Sequence, residues 1–385
     1  MLRYLTAGES HGPGLVTIVD GLPAGLDIDA SSIGAELARR RLGFGRGGRM
    51  AIEQDVLEIL GGIRHGRTLG SPVAISIKNT EWPKWREIMS PEPDDAGRPI
   101  TRPRPGHADL TGMLKYDTRD ARDVLERASA RETAARTIAG SLAKSLLDLL
   151  GISIVSHVVS IGSVGATGPV PGPKDLDRVD ASPVRCMDPA ATASMIEVIE
   201  SAVDQKDTLG GVFEVIAYGV PPGLGSYVQA DRKLDSILAG AVMSIPAIKG
   251  VEIGDGFNVA SKPGSEAHDE IHAGSGSVER HTNRAGGTEG GMSNGEPIVV
   301  RAAMKPISTL MRPLQTLDME TGEAAQAVRE RSDVCAVPAA AVVGEQVVAW
   351  ALAVEALRKF GGDTVGDFVT AFERYVERIE QRLDM

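Results

Sequence analysis

Two stretches far apart in the chain carry the same turn: "VDGLPAGL" (Val19 to Leu26) and "AYGVPPGL" (Ala217 to Leu224). Each closes a strand-like run, passes through a Gly-apolar-Pro-x-Gly-Leu turn and leads toward a helical pattern. Further on, "GSPVAISIKN" (Gly70 to Asn79) is echoed by "GEPIVVRAAMKP" (Gly295 to Pro306), in the same order within each half. Repetition of strand, turn, helix and strand predicts an α+β fold with antiparallel sheets around shared helices. The chain then reads as one domain over residues 1–385, a distant internal duplication with halves near 1–150 and 205–360.

Local patterns fill in this frame. "LRYLTA" and "LVTIVDGLP" read as strands on either side of "GESHG" (Gly8 to Gly12), and "DASSIGAELARRR" as a helix capped by Asp29 or Ser31. "DVLEILGGI" and "SPVAISIKN" flank "RHGRTLG" as a hairpin. "SARETAARTIAGSLAKSLLDLLG" has helical periodicity, with Ile138, Leu142, Leu146 and Leu149 on the apolar face and Gly151 as a stop. Pro338 opens a last long helix that Gly361 closes, and an amphipathic helix follows. Residues 257–295, with seven glycines between Gly264 and Gly291, read as a long loop, either a functional lid or disordered. No segment reads as a membrane span or signal peptide, so the expected location is cytoplasmic, with no membrane partner.

A net charge of -11 argues against nucleic acid as a partner. Positive charge is instead local. Arg39, Arg40, Arg41, Arg46 and Arg49 fall in "RRRLGFGRGGR", and Arg102, Arg104, Arg119, Arg122, Arg127, Arg131 and Arg136 crowd a later segment. Guanidinium groups concentrated among glycines suit small polyanions such as phosphates and carboxylates. The plain alternative for the later set is a solvated helix face paired with Asp109, Asp117, Asp120, Asp123 and Glu126. Cys186 and Cys335 give neither a disulfide framework nor metal-ligand spacing, and read as reduced thiols.

Several short motifs could carry chemistry. GESHG presents Ser10 and His11 between glycines, either as a site or as a polar hairpin. "RPGHAD" places His107 beside the second arginine cluster, where a proton donor near a bound phosphate is useful. In "RASARET", Ser129 and Glu132 have the spacing of a capping box, and a helix start rimmed by Arg127 and Arg131 can bind an anion. "KPIST" (Lys305 to Thr309) offers an ammonium and two hydroxyls after a strand. "RSDVCAVPAA" brings Arg331 and Asp333 to one side of extended backbone, as a site or as a surface salt bridge.

Taken in order and at these separations, GESHG, RPGHAD, RxSARET, KPIST and RSDxCxVP resemble chorismate synthases over essentially the whole chain, with "SIPAIKGVEIG" (Ser244 to Gly254) adding to the match. The resemblance implies a sandwich of helices between antiparallel sheets, usually a homotetramer. The implied reaction is a lyase step of aromatic amino acid biosynthesis: 1,4-anti elimination of phosphate from 5-enolpyruvylshikimate 3-phosphate. It needs reduced FMN without net redox change. His11 would serve the departing phosphate, His107 the protonation of the flavin, and Asp333 the transfer of the substrate proton, with Ser10 and Ser129 close by. The family's flavin positions fall on Arg127, Ala128, Ser129, Pro246, Ala247, Gly290, Lys305, Pro306, Ile307, Ser308, Thr309 and Arg331. Arg40 and Arg46 match positions assigned to NADP, although Arg40, Arg46, Arg49, Arg131 and Arg331 suit substrate phosphate or carboxylate equally well. Ala128 replaces a serine common in relatives, and Leu42 a proline. Intrinsic flavin reduction by NADPH is expected to be weak or absent, with NADPH as an external reductant and a separate flavin reductase as the expected partner. Rival readings are an NADPH-dependent flavin reductase, for which no G-x-G-x-x-G follows a strand, and a catalytically dead phosphate-binding scaffold. A Ser10–His11 hydrolase lacks a nucleophile elbow.

Overall fold

The computed structural model describes residues 1–47, 55–93, 97–274, 278–329 and 332–383. The first half contributes β1 (Arg3–Ala7), β2 (Gly14–Asp20), helix α1 (Ala30–Arg41), β3 (Val56–Gly61) and β4 (Val73–Lys78). Short helices α2 (Asp109–Tyr116) and α3 (Arg122–Ala128) lead into α4 (Thr133–Asp148). In the second half come β5 (Ser153–Ile161), helix α5 (Pro189–Asp204), β6 (Gly211–Tyr218), α6 (Leu234–Met243), β7 (Ile248–Ile253), β8 (Ile298–Met304), the long α7 (Val337–Phe360) and α8 (Val365–Leu383).

Both sheets are antiparallel and are assembled in one order. The first runs β1-β2-β4-β3, and the second runs β5-β6-β8-β7 with Val164–Gly165 extending its β5 edge. Leu15 faces Ile77 across β2 and β4, and Val215 faces Val300 across β6 and β8. Alternation explains the first sheet: Leu15, Thr17 and Val19 point inward with Val73, Ile75 and Ile77, while Leu5 and Ile18 are exposed on the outer face. Thr17 meets the cost of burial by donating its hydroxyl to the Ala135 carbonyl of α4 at 2.9 Å. The repeated turns each follow the second strand of their sheet and precede α1 and α6.

Helix α4 lies on the first sheet, α6 and α7 lie on the second, and α1 and α4 pack against each other and against α7, so that one apolar core runs through the layers. Helix α7 is long and apolar enough to cross a membrane, which the sequence reading did not anticipate. It is instead the core helix, with 89% of its most apolar stretch buried. Close approach of α4 to α7 depends on Gly140, where a Cβ would lie 2.3 Å from Cβ of Gln346 and 2.6 Å from its Cα. Gly140→Ala is therefore expected to cost about 1–3 kcal/mol by overpacking, read as a lowered melting temperature. Unchanged melting would show that the helices can separate freely.

Asp29 is the cap of α1, accepting from the Ser31 N–H at 2.9 Å. The capping box at Ser129 is only half formed. Ser129 accepts from Arg131 N–H and caps a 3-10 turn (Ala130–Glu132) ahead of α4, but the Glu132 carboxylate turns to Arg136 Nε at 3.0 Å. Residues 257–295 are not structureless among the described residues. They form a 3-10 turn, a one-turn helix and two short hairpins, with Asp269 accepting from Arg284 N–H and Ala285 N–H, each at 2.9 Å. Both cysteines are free and buried, and burial pushes the Cys335 thiol up to about 11.

Candidate active site

GESHG is both a hairpin loop and part of a cavity wall. It joins β1 to β2, and Gly8 at φ +103° leaves no room for a side chain, since a Cβ there would sit 2.2 Å from the Gly14 carbonyl oxygen. Asn79, just past β4, donates to the carbonyls of Ser10 at 3.0 Å and Gly12 at 2.9 Å. From α3, the Glu126 carbonyl accepts the Ser10 N–H, and its carboxylate accepts the His11 N–H, both at 2.9 Å. The His11 ring stacks on Trp85 at 3.9 Å, and its Nδ1 lies 2.9 and 3.0 Å from the two Glu126 carboxylate oxygens. An ionised carboxylate only accepts, so Nδ1 carries a proton and the exchangeable position is Nε2. Burial pushes the Glu126 carboxyl up, but the hydrogen bond from His11 and the nearby charges outweigh it and hold the group below the usual carboxylate range.

His107 has the same kind of support. Its Nδ1 donates to Asp109, which also accepts from Arg104 Nε at 2.8 Å and from Arg104 N–H at 3.0 Å. Burial acts to raise the Asp109 carboxyl, yet hydrogen bonds from His107 and Arg104 hold it well below the usual range. Arg104 Nη1 donates to Thr309 Oγ1 at 3.0 Å, and Lys305 donates to the Gly106 carbonyl, so KPIST holds the RPGHAD loop in place.

These loops enclose a cavity of about 500 Å³ between the two halves. The segments after α1 (Arg46, Gly47) and after α6 (Ile245, Pro246, Ala247) form two sides, and the N-terminal turns leading into α4 and α7 close the others. Arg40, Arg46, Arg104, Arg131 and Lys305 line it, whereas Asp333 is the one carboxylate in the lining among the described residues. Two helix N-termini add positive potential, so the cavity is strongly cationic in an acidic protein. Leu125, Ile245, Pro246, Met304 and Val343 supply apolar surface. Ala247 adopts φ +69°, uncommon without glycine, and its carbonyl accepts the Lys305 N–H at 2.9 Å.

The triple arginine divides its work. Arg39 turns away to Glu345, Glu36 and Asp180. Arg40 reaches the cavity, 3.9 Å from Asp55 and 3.4 Å from Thr133 Oγ1. Arg41 lies 3.8 Å from Asp55, whose other oxygen accepts from Arg131 Nη1 at 2.6 Å. Asp333 sits beneath the glycine loop, accepting the Gly47 N–H at 2.7 Å and pairing with Arg46 Nη1 at 3.1 Å. Its ion-pair partner is thus Arg46, a contact the sequence spacing does not suggest. Arg331 and Arg49 fall outside the described residues.

Ser10, His11, His107, Ala128, Ser129, Pro246, Ala247, Lys305, Ile307, Ser308, Thr309 and Asp333 all line the cavity, and Ser129 Oγ lies 3.3 Å from Ser10 Oγ. Arg127, Pro306 and Gly290 do not. Arg127 donates to the Thr6 carbonyl at 2.9 Å and the Gly8 carbonyl at 3.0 Å, anchoring the GESHG loop. Among the described residues of 257–295, none lines the cavity. The later acidic set is divided: Asp109 and Glu126 are buried against the histidines, whereas Asp117 and Asp123 are exposed. The Asp109 contact is hinted at by its spacing of two from His107. Glu126, Asp55 and Trp85 come from distant segments with no local signal.

Residues 2–357 match the family model described as chorismate synthase. The chain is 58% identical to a chorismate synthase of Thermobifida fusca over 390 residues, covering 98% of this chain and 99% of the relative. It is 61% identical to one of Salinispora tropica over 375 residues, covering 95% and 96%. A solved structure titled "Crystal Structure of Chorismate Synthase" superposes with a TM-score of 0.80 at 41% identity, covering 99% of this chain and 98% of the other.

Proposed function

Because the chain belongs to the chorismate synthase family, a chorismate-forming lyase requiring reduced FMN, we propose that the cationic cavity is where it eliminates phosphate from 5-enolpyruvylshikimate 3-phosphate. The observation that carries this reading is the charge of the lining: among the described residues, four arginines, a lysine and two carboxylate-supported histidines surround a single carboxylate. A substrate bearing a phosphate and two carboxylates suits such a lining, and bidentate guanidinium contacts orient it. The donors and the apolar surface also fit a phosphorylated flavin, held by the backbone and side chains of Ala128, Ser129, Pro246, Ala247 and Lys305 to Thr309. When bound, the reduced flavin supplies electron density that makes the ring C–H and C–O bonds easier to break.

The chain's own residues do the rest. His11, protonated at Nε2, stabilises the leaving phosphate. His107 holds a proton beside the cofactor, and Asp333 takes part in moving the ring proton away. Arg40, Arg46 and Arg131 neutralise the anionic substrate. Arg40 is 4% exposed and sits inside the wall near Thr133, which favours contact with substrate over an outer dinucleotide site. Flavin reduction by NADPH then falls to a separate reductase. The reading extends to a cytoplasmic homotetramer whose protomer is one domain descended from a duplicated ββαββα unit, which the common order of the two sheets supports.

The test is anaerobic phosphate release from the enolpyruvyl substrate. One equivalent of photoreduced FMN is expected to support many turnovers, because the elimination balances without an acceptor. One oxidised FMN per chorismate would overturn the reading. NADPH with protein and FMN alone is expected to leave the flavin oxidised, and rapid anaerobic bleaching would assign the reductase activity to this chain.

A further inference from the structure

We propose that Glu126 is the positioning residue for His11: its buried carboxylate fixes the ring as the Nδ1–H form and sets how firmly Nε2 holds a proton, with Arg122 as the opposing charge. The proposal rests on the reading of His11 as the group serving the departing phosphate. Glu126 is 2% exposed. Its Oε1 lies 2.9 Å from His11 Nδ1 and 3.1 Å from Arg122 Nη1, while Oε2 accepts the His11 N–H. One side chain thereby holds both the backbone and the ring of the same residue.

Glu126 faces the Nδ1 edge of the His11 ring and Trp85 covers one face. Arg122 touches both, with its guanidinium 5.3 Å from the Trp85 ring and one turn of α3 away from Glu126. An anion in contact with an imidazole favours the imidazolium, and a cation in contact with that anion weakens the effect. Removing the two charges therefore has opposite consequences for His11. A purely structural role predicts no such opposition, since both substitutions would only loosen the loop.

The experiment measures turnover from pH 6 to 9 with photoreduced FMN, alongside carbon-13 histidine NMR titration of the same proteins, with the His11 signal assigned by its loss in His11→Asn. Glu126→Gln keeps the shape and an acceptor for Nδ1–H. It is expected to move the His11 titration and the alkaline limb of kcat down by about one pH unit or more. Turnover then falls about tenfold or more at pH 8 and little at pH 6, with KM changed less than about threefold. Arg122→Gln is expected to move both upward. Opposite displacements support the proposal, and unmoved titrations, or equal losses at every pH in both variants, overturn it. Should Glu126→Gln not fold, Arg122→Gln decides alone: an upward shift supports, and no shift overturns. If the NMR titrations separate while the kcat limb stays fixed, Glu126 still positions His11, and it is the assignment of His11 to phosphate departure that fails.

Discussion

Asp333→Asn is expected to fold, to bind FMN and substrate, and to lose roughly 10² to 10⁴ in turnover, the range for a positioned acid or base. The geometry makes this substitution informative. Asparagine can still accept the Gly47 N–H that Asp333 Oδ1 now accepts at 2.7 Å, so the glycine loop keeps its anchor. What disappears is the negative charge opposite Arg46 and the capacity to take a proton. Loss of a partly exposed ion pair alone costs about 0–1 kcal/mol of stability and leaves turnover nearly intact. Turnover and melting temperature measured together separate the readings. Near-normal turnover with a lowered melting temperature would reduce Asp333 to a clasp between the glycine loop and the start of α7.

Glu345→Gln is expected to destabilise the fold by about 3–5 kcal/mol, the cost of breaking a buried ion cluster from one side. Glu345 is fully buried on α7 and meets Arg39 Nη1 and Lys144 Nζ at 2.7 Å, Ser156 Oγ at 2.7 Å and Arg185 Nη2 at 3.1 Å. Burial acts to raise its carboxyl, but the three cations prevail and hold it well below the usual range. A carboxylate depressed in the folded state adds stability that is complete above its unfolded pKa, near 4, and is lost as pH falls toward the folded value. Wild-type melting temperature is therefore expected to drop below about pH 4, and the Gln variant to be less stable at neutral pH with a flatter acid limb. Because the cluster lies away from the cavity lining, kcat of the folded variant is expected to stay within about threefold of wild type, since the chemistry loses no contacting group. A variant that melts with the wild type at pH 7 would show that the cluster contributes no net stability.

Local signals along the chain set the elements and the motif set. Alternating apolar residues fixed β2 and β4, Asp29 and Pro338 marked helix starts, and each Gly-apolar-Pro-x-Gly-Leu turn marked the end of a strand ahead of a helix. These are local signals, decided by backbone sterics and burial period within a few residues. The ordered motifs carried the family and most of the cavity lining for the same reason, because each loop brings its own reactive side chain.

Which side chains face one another was settled by packing. Arg39, Arg40 and Arg41 are neighbours in sequence, yet the rotation of about 100° per residue on a helix sends one to a buried ion cluster and one to the cavity. Asp333 pairs with Arg46, which is distant in the chain, and His11 takes its proton-fixing carboxylate from Glu126, which arrives through α3. The long apolar helix became a core element because the second sheet and the helices α1, α4 and α6 pack around it, a fact its composition does not carry. Charge pairing and burial depend on distances across the fold, and those distances exist only once the layers have packed.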